Sequence, residues 1–510
     1  MISISFQSMK NRIILFSLIL LLSLVFLSNV MPGIFRKYTA FTYDNGRDML
    51  VTYGLLFENK FILIGPTTGI EGIFHGAWWY YFLALPFLIF RGEPTGIVFT
   101  IAIFGYIGLL LFFFFLKKTT NLKIAFLSSL IYGSSPEIIG RFSQIGHNNL
   151  EVPLGILAAI ALYYFLKKKC QSYWLAAIFG LFSALIFELE FAYGLFVFVF
   201  SCLYFLGIVL DEKSLILFKK NKLIVFFGLG VVVVLVPRII FEVRHQFLMT
   251  KNFLNYLFNP ATKLYSGNFI DRVINRQETF YAFWKELLPL QINMLSIVLL
   301  GLTLLGLGML IAKKNRFSET YRKMMLYLGG VIGFQFICFV YYKDVIWGNY
   351  LNGLMAFYLL TLAFSLFFLE KQASSFKYLY YLFIGLILVS QVVFRNVSDW
   401  EGDYSVMRNQ KKIMSLIEND YGKKDRDFGW GGYTASGYSY YYDYYYLREE
   451  KFFAIPRPKS LWDATINYII IEPDDRGVLL KKWREKNMDG TAQLIKKWQV
   501  VDVKIEKWKL

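Results

Sequence analysis

A short segment near the N-terminus holds residue types suited to acid–base chemistry. Tyr43-Asp44-Asn45-Gly46-Arg47-Asp48 follows a long apolar run and contains two carboxylates and one guanidinium. On a helix, a spacing of four residues puts Asp44 and Asp48 on the same side. A carboxylate with a charged partner can accept the proton of an attacking hydroxyl. The alternative is structural: Asp44 caps an interfacial helix, and Asp48 pairs with Arg47 or another base.

A second polar and aromatic segment follows in the same loop. Ile64-Gly65-Pro66-Thr67-Thr68-Gly69 precedes Gly72-Ile73-Phe74-His75-Gly76-Ala77-Trp78-Trp79-Tyr80-Tyr81. His75 and Tyr80 are candidates for substrate binding because they share this loop with Asp44.

Long apolar segments must position these residues. The chain has 510 residues, of which 56% are hydrophobic, and a mean hydropathy of +0.46, which exceeds the apolar content of soluble proteins. A helix of about 20 apolar residues crosses the hydrocarbon core of a bilayer. We predict about eleven transmembrane helices, with the boundary between the fifth and sixth at Glu188 and Glu190: Ile13 to Met31, Ile97 to Leu116, Ile124 to Ile139, Leu150 to Leu166, Tyr173 to Phe187, Phe191 to Leu210, Leu223 to Phe241, Leu287 to Ala312, Met324 to Tyr342, Tyr350 to Leu369 and Tyr378 to Phe394.

The charge distribution predicts the orientation. The formal net charge is +18, from 54 basic and 36 acidic residues. If the first span is an uncleaved anchor with a cytoplasmic N-terminus, the inner loops hold 19 Lys and Arg against four Asp and Glu. The positive-inside rule is then obeyed, which predicts a multi-pass protein of the cell membrane. Because the basic excess faces the cytoplasm, we expect no nucleic-acid partner.

Residues 1–394 form the predicted membrane domain. Its first outer loop, residues 32–96, is expected to form amphipathic helices on the outer leaflet. A second long outer loop covers residues 242–286.

Residues 395–510 form a predicted extracytoplasmic α/β domain. Its elements are a helix near Tyr404 to Asn419, a strand at Asn467 to Glu472, a charged helix around Arg476 to Lys486 and an alternating segment, Gln499 to Trp508. The tyrosine-rich stretch Tyr433 to Tyr446 either anchors the domain at the membrane interface or stacks on sugar rings.

The acidic segment, the histidine and aromatic segment, the alternating spans and the outer tail together resemble the GT-C integral-membrane glycosyltransferases. The specific resemblance is to the bacterial group similar to dolichyl-phosphate-mannose protein mannosyltransferases. Asp44 matches the catalytic acidic position of that family. Asn45 stands where many members have a second acid, and Ala77 and Trp78 stand where Pro-Leu is common. The architecture of the whole chain matches, but the specific motifs lie mainly in the first loop.

The resemblance implies transfer of a sugar from a polyprenyl monophosphate, of undecaprenyl or dolichyl type, with inversion at the anomeric carbon. The acceptor is an extracytoplasmic hydroxyl of a lipid, glycan or protein. Asp44 is the expected general base, with Asp48 as a second catalytic candidate.

The lipid phosphate that leaves needs cationic donors near the membrane surface. The outer-face candidates are Arg47, Arg141, Arg238 and Arg244. Arg244 ranks first because it follows the seventh span in a segment similar to one found in the family. Arg238 lies within that span, where an ionisable residue is a functional candidate. The alternative for each is a membrane-interface anchor.

All three histidines, His75, His147 and His245, fall on the predicted outer side. The sequence establishes no cofactor, but a divalent metal ion held by these histidines with Glu71 or Asp44 is one alternative to ordinary hydrogen-bonded histidines. His147, His245 and Asn148 are further candidates for substrate binding. Asn148, with its neighbours, could equally cap the next helix.

Two other functions stay open at this stage. A transporter or flippase of a lipid-linked saccharide would place charge or broken helices at the midplane and often shows paired halves, and neither is visible in the sequence. An oligosaccharide ligase or polymerase would act at the same face with a pyrophosphate-linked donor. Donor assays with a monophosphate and a pyrophosphate lipid would separate the two enzymes.

Overall fold

The computed structural model describes residues 2–212, 217–258, 268–312, 318–342, 345–372, 376–393, 403–422, 426–434, 439–474 and 477–510. The helices of the membrane region are, in chain order, α1 (Ile2–Arg36), α2 (Tyr43–Phe57), α3 (Trp78–Ile89), α4 (Pro94–Thr119), α5 (Leu122–Ser134), α6 (Pro136–Phe142), α7 (Glu151–Lys167), α8 (Tyr173–Leu189), α9 (Phe191–Asp211), α10 (Leu217–Arg244), α11 (Leu248–Phe258), α12 (Phe269–Leu287), α13 (Asn293–Ala312), α14 (Glu319–Tyr341), α15 (Leu354–Gln372) and α16 (Phe376–Val393).

Each of the eleven predicted spans corresponds to helical structure in this region. In the described ranges, seven segments are long and apolar enough to cross a membrane: α1, α4, α7 with the 3-10 turn before it, α9, α10, α14 and α15. The other four predicted spans form the shorter apolar helices α5, α8, α13 and α16. The chain is therefore a multi-pass helical membrane protein. α7 and α15 lie in the middle of the bundle, with most of their side chains buried.

The boundary between the fifth and sixth spans is a tight helical hairpin. Only Glu190 separates α8 from α9, with extended backbone angles. The rings of Phe179 and Phe205, near the opposite ends of the two helices, lie 6.3 Å apart, so the helices run antiparallel. The two acids therefore mark a reversal of the chain between the two helices.

Close packing between α8 and α10 depends on small residues. A side chain at Gly180 would meet the backbone of Phe227, and one at Gly230 would meet the backbone of Ala177. Glycines let helix backbones approach each other, which is a common way to pack helices in a bilayer.

The loops predicted on the outer side meet at one end of the bundle. Asn45 of α2 donates to the carbonyl of Ile145 at 3.0 Å, and Arg238 of α10 donates to the carbonyl of Phe74 at 3.2 Å. These contacts agree with the predicted alternation of the spans. The compartment that this end faces stays a prediction from the charge distribution.

The first loop has more structure than the sequence predicted. Between α2 and α3 it forms an antiparallel hairpin of β1 (Ile64–Thr67) and β2 (Phe74–Gly76). α3 is apolar on nearly every side, and its exposed residues include Leu85, Leu88 and Ile89. The second long loop contains α11 and α12.

The C-terminal residues form a small α/β domain. Its elements are α17 (Met407–Tyr421), β3 (Gly429–Tyr433), α18 (Tyr440–Phe453), β4 (Lys459–Ser460), β5 (Ile466–Ile471), α19 (Val478–Asn487), β6 (Gln493–Val500) and β7 (Val503–Lys509). The sheet order is β4-β3-β5-β7-β6, with β3 parallel to β4 and β5, and β7 antiparallel to β5 and β6.

This domain differs from the sequence prediction in two elements. The single alternating segment near the C-terminus is the end of a β6–β7 hairpin. Helix α18 was not predicted as an element. The predicted boundary between residues 394 and 395 lies outside the described residues.

Most of the described tyrosines of the tyrosine-rich stretch are buried in the interior of the protein. Tyr441, Tyr442, Tyr444, Tyr445 and Tyr446 are buried in α18, which packs on α2. At the contact, a side chain at Gly46 would lie 2.5 Å from the backbone nitrogen of Tyr441. The described tyrosines therefore join the C-terminal domain to the helix that carries Asp44, and neither predicted role, membrane anchor or sugar platform, matches their burial.

Candidate functional site

Helix α2 positions the acidic segment, and its cap differs from the sequence expectation. Thr42 rather than Asp44 is the N-cap residue. The side-chain oxygen of Asn45 accepts hydrogen bonds from the Thr42 backbone N–H at 2.9 Å and from its hydroxyl at 3.1 Å. The amide nitrogen of Asn45 donates to Ile145, which a carboxylate could not do. Asp44 is consequently free of capping and lies in the first turn.

Asp48 is buried, and both oxygens of its carboxylate accept hydrogen bonds. Its Oδ1 accepts from Arg47 Nε at 3.0 Å and Nη2 at 2.8 Å, and its Oδ2 accepts from Trp79 Nε1 at 2.7 Å. The Tyr80 hydroxyl donates to the same carboxylate at 3.4 Å. Burial raises the pKa of Asp48, and the neighbouring Arg47 guanidinium opposes that shift. Asp48 thus fixes the position of Arg47.

Asp44 has the opposite environment. Its side chain is 62% exposed, and its Oδ1 pairs with Arg47 Nη1 at 2.8 Å. Arg47 therefore bridges the two carboxylates, one buried and one open. An accessible carboxylate beside a fixed cation can accept a proton from a bound hydroxyl.

A polar cavity of about 250 Å³ contains this acidic segment. Its walls come from α2, the β1 strand, and the loop and 3-10 helix (His147–Leu150) between α6 and α7. The lining residues are Ala40, Thr42, Asp44, Asn45, Arg47, Asp48, Pro66, Thr67, Arg141, Gln144, Ile145, Gly146, His147, Asn148 and Asn149. Arg141, in the last turn of α6, also pairs with Glu137. The cavity thus combines two carboxylates with two guanidinium groups.

Three residues of metal-ligating type meet beside this cavity. His75 of β2, His147 of the 3-10 helix and Glu190 between α8 and α9 each offer one ligand atom, and these atoms lie within 4.8 Å of one another. The two imidazole rings are 4.4 Å apart. The pKa of His75 is well below its usual value because the ring is buried and because His147 and Arg238 add positive charge nearby.

An apolar cavity of about 270 Å³ lies on the other side of these residues. His75 and Glu190 form part of its wall, and the rest comes mainly from α9, α11 and α14. Thr68 lines it, while the adjacent Thr67 lines the polar cavity. The two cavities are therefore neighbours, with the histidines between them.

The structure gathers most, but not all, of the predicted site residues. Asp44, Asp48, Arg47, Arg141, His147 and Asn148 line the polar cavity. Arg238 is buried, pairs with Glu188 and lines neither described cavity. Arg244 is exposed near the end of α10. His245 is also exposed, and its ring stacks on Phe241 at 4.1 Å. Arg244 and His245 thus stand apart from the other candidates, whereas Arg238 contacts the carbonyl of Phe74, next to His75.

Sequence reasoning missed two residues of the site. Trp79 orients Asp48, and Glu190 completes the group with the histidines. Two acids, Glu188 and Glu190, interrupt an apolar stretch, and ionisable residues within or beside a span are candidates for a functional site. That signal could have pointed to Glu190 as well as to the boundary between two spans.

Comparisons with known proteins give similarity to solved structures alone. No protein-family model and no curated protein matches the chain. Among solved structures, the chain is similar to the archaeal oligosaccharyltransferase AglB from Archaeoglobus fulgidus, solved in complex with an inhibitory peptide and a dolichol-phosphate. The TM-score is 0.44 at 10% sequence identity, over 90% of this chain and 69% of that chain. A similarity with so low a TM-score and sequence identity supports no inference about function. The function is inferred from the residues of the two cavities.

Proposed function

We propose that this protein is a membrane glycosyltransferase of the GT-C type. It moves a sugar from a polyprenyl monophosphate to an acceptor hydroxyl at the extracytoplasmic face. One observation carries the proposal: a polar cavity with two carboxylates and two arginines neighbours an apolar cavity, with Thr67 lining the first and Thr68 lining the second. A lipid-linked sugar has the same division into a polar, anionic head and an apolar chain.

The polar cavity supplies the groups that the reaction needs. Asp44 accepts the proton of the attacking hydroxyl, because its carboxylate is exposed to the cavity while that of Asp48 is occupied. Arg47 and Arg141 stabilise the negative charge that develops on the departing phosphate. Asp48 holds Arg47 in place and so acts as a positioning residue.

The apolar cavity receives the first part of the lipid chain. Its wall consists largely of aromatic and aliphatic side chains from α9, α11 and α14. Burying apolar surface there contributes roughly 25 cal/mol per Å². The C-terminal domain packs on α2, which places it at the same end of the bundle as the proposed acceptor site.

The test is transfer from defined donors by the full chain in proteoliposomes. We expect transfer from a polyprenyl-monophosphate sugar and none from the pyrophosphate-linked analogue. Asp44→Asn should lower kcat about 100-fold or more, the size of a general-base contribution. Glu71→Gln is the matched control, because Glu71 is exposed in the same loop and lines neither described cavity.

Each contrary result has a definite meaning. Full activity of Asp44→Asn would overturn the assignment of the base. Use of the pyrophosphate donor alone would indicate a ligase or polymerase. Movement of the lipid-linked sugar across the bilayer without transfer would indicate a transporter.

A further inference from the structure

We propose that His75, His147 and Glu190 bind a divalent metal ion of the zinc type in the wall between the two cavities. The proposal goes beyond the transfer reaction and does not depend on it. The three residues come from separate parts of the chain: strand β2, the 3-10 helix before α7, and the turn between α8 and α9. Two imidazoles and a carboxylate form a donor set that suits Zn²⁺.

The ligand atoms converge without bonding to one another. His147 Nε2 lies 3.6 Å from Glu190 Oε2, and His75 Nδ1 lies 4.0 Å from Glu190 Oε1. Both distances are too long for a hydrogen bond. The group is therefore not a closed hydrogen-bond network, and its polar atoms face a common gap.

The spacing is close to that of an occupied site. In a tetrahedral zinc site with bonds of 2.0–2.1 Å, ligand atoms lie about 3.3 Å apart. The atoms here lie within 4.8 Å of one another, so side-chain shifts of about 1 Å complete the geometry. Three protein ligands leave the fourth position for a non-protein oxygen, as in catalytic zinc sites.

The surrounding contacts orient one of the three ligands and define what a cation must displace at another. Glu190 caps α9, with Oε1 accepting from the Ala192 N–H at 3.3 Å, while Oε2 is directed toward His147. This backbone partner fixes the orientation of the carboxylate, as outer-shell partners do for metal ligands. His75 Nδ1 accepts from the Phe191 N–H at 3.2 Å, so it carries a lone pair, and a cation bound at this nitrogen must displace that hydrogen bond.

His147 supplies the strongest indication that a ligand is bound. Its Nε2 atom is buried and has no hydrogen-bond partner among the described residues. Leaving a buried polar atom unsatisfied costs about 1–3 kcal/mol, and a metal ion would satisfy it. The nearby guanidinium groups form ion pairs with other carboxylates and not with Glu190. Arg238 pairs with Glu188, and Arg47 pairs with Asp44 and Asp48.

The structure also decides among the ligands considered from the sequence. His245 is exposed and stacks on Phe241, and neither Glu71 nor Asp44 belongs to the group. Two of the three histidines therefore form the site, and its carboxylate is Glu190.

The test is metal binding by the full chain, purified in detergent with a tag that contains no histidine. After chelator treatment, Co²⁺ is titrated and its visible absorption recorded, and bound Zn²⁺ is measured by elemental analysis after dialysis. We expect one equivalent with an absorption band of tetrahedral intensity. His147→Asn and Glu190→Gln should each lower affinity at least about 100-fold, since even outer-shell changes cost 10–100-fold. His245→Asn is the matched control and should bind as the parent chain does.

Two outcomes would overturn the proposal. One is metal uptake by the parent chain no greater than that of the two variants. The other is parent-like affinity in either variant that elutes as a single folded species. Glu190→Gln keeps an oxygen that can cap α9, so its folding is expected to be normal, and His147→Asn gives an independent measurement. Metal binding without sugar transfer would overturn the proposed function alone, and transfer by a chain that binds no metal would overturn only this site.

Discussion

Two cavities of similar volume lie on either side of His75 and His147, and their walls are built differently. The polar cavity takes most of its charged groups from one contiguous segment, Asp44 to Asp48. The apolar cavity takes its wall from three helices that are distant in the sequence, α9, α11 and α14.

The difference shows which half of a site a single sequence can reveal. Charged side chains are rare in a chain that is 56% hydrophobic, so a cluster of them stands out. An apolar cavity is lined by the same residue types that fill the core and face the lipid, so its lining has no distinct signature. Substitutions on the polar side should affect stability and chemistry together, and those on the apolar side should affect donor binding.

The largest effect is expected from Arg47→Met in the polar cavity. The change leaves the buried Asp48 without its cationic partner, and removing one partner of a buried ion pair costs about 3–5 kcal/mol. Thermal unfolding in detergent measures the loss, and transfer activity should fall with it. The double variant Arg47→Met/Asp48→Asn should recover most of the stability but not the activity. No recovery would show that the Asp48 charge is not the cause.

A region remote from both cavities gives a reference for effects on stability alone. Glu472, which follows β5, is buried, and burial raises its pKa from 4.5 to about 8. Between these values the folded chain holds a proton that the unfolded chain has released, so stability falls as pH rises from 4.5 to about 8.

Glu472→Gln should remove this dependence, on the order of 4 kcal/mol by pH 8. Melting temperatures of both chains across this range check the expectation. The donor KM should be the same in the two chains. Parallel pH curves would show that Glu472 titrates normally in the folded chain.

A smaller effect is expected from Asn45→Asp. This substitution tests the hydrogen bond that joins α2 to the loop containing Ile145. The substitution removes the donor to the Ile145 carbonyl and places a carboxylate there, which should cost about 1–3 kcal/mol. Melting of the variant is compared with that of Asn419→Asp, which adds the same charge at an exposed position of α17. Equal melting temperatures would contradict a role for Asn45 in joining α2 to this loop.

The smallest effect is expected on the apolar side. Leu195→Trp fills part of the apolar cavity and should raise the donor KM about tenfold, or about 1.4 kcal/mol, with little change in kcat. Leu203→Trp is the control, because Leu203 is on the same helix and is 58% exposed. The separation of the two cavities would lose its support if both variants behaved alike, or if Leu195→Trp lowered kcat alone.

Much of the membrane region could be predicted from the sequence. Apolar segments of sufficient length must be helical in a bilayer, because only helices satisfy their backbone groups within one segment. The predicted boundary at Glu188 and Glu190 is confirmed by the break between α8 and α9, and acids rarely lie in the hydrocarbon core. Hairpin β1–β2 and helix α18 were missed, because glycine-rich and tyrosine-rich segments have no clear helical or alternating apolar pattern.

The arrangement of the site followed the sequence only in part. Proximity in the chain placed Asp44, Arg47 and Asp48 together, and the structure retains that group. The roles of the two carboxylates depend on their burial. Asp48 is buried and accepts hydrogen bonds from Trp79 and Arg47, whereas the side chain of Asp44 is exposed. Arg244 ranked first from its position after a span, yet it is exposed and lines neither described cavity.

The sequence by itself determined that this is a helical membrane protein, in what order its spans alternate, and where its charged residues concentrate. Those properties follow from local composition, because the bilayer acts on each segment separately. Only the tertiary structure decided that Glu190, rather than Glu71 or Asp44, joins His75 and His147, and that His245 does not. These residues are separated by tens of positions in the chain, and their meeting depends on how β2, the 3-10 helix and the α8–α9 turn pack together.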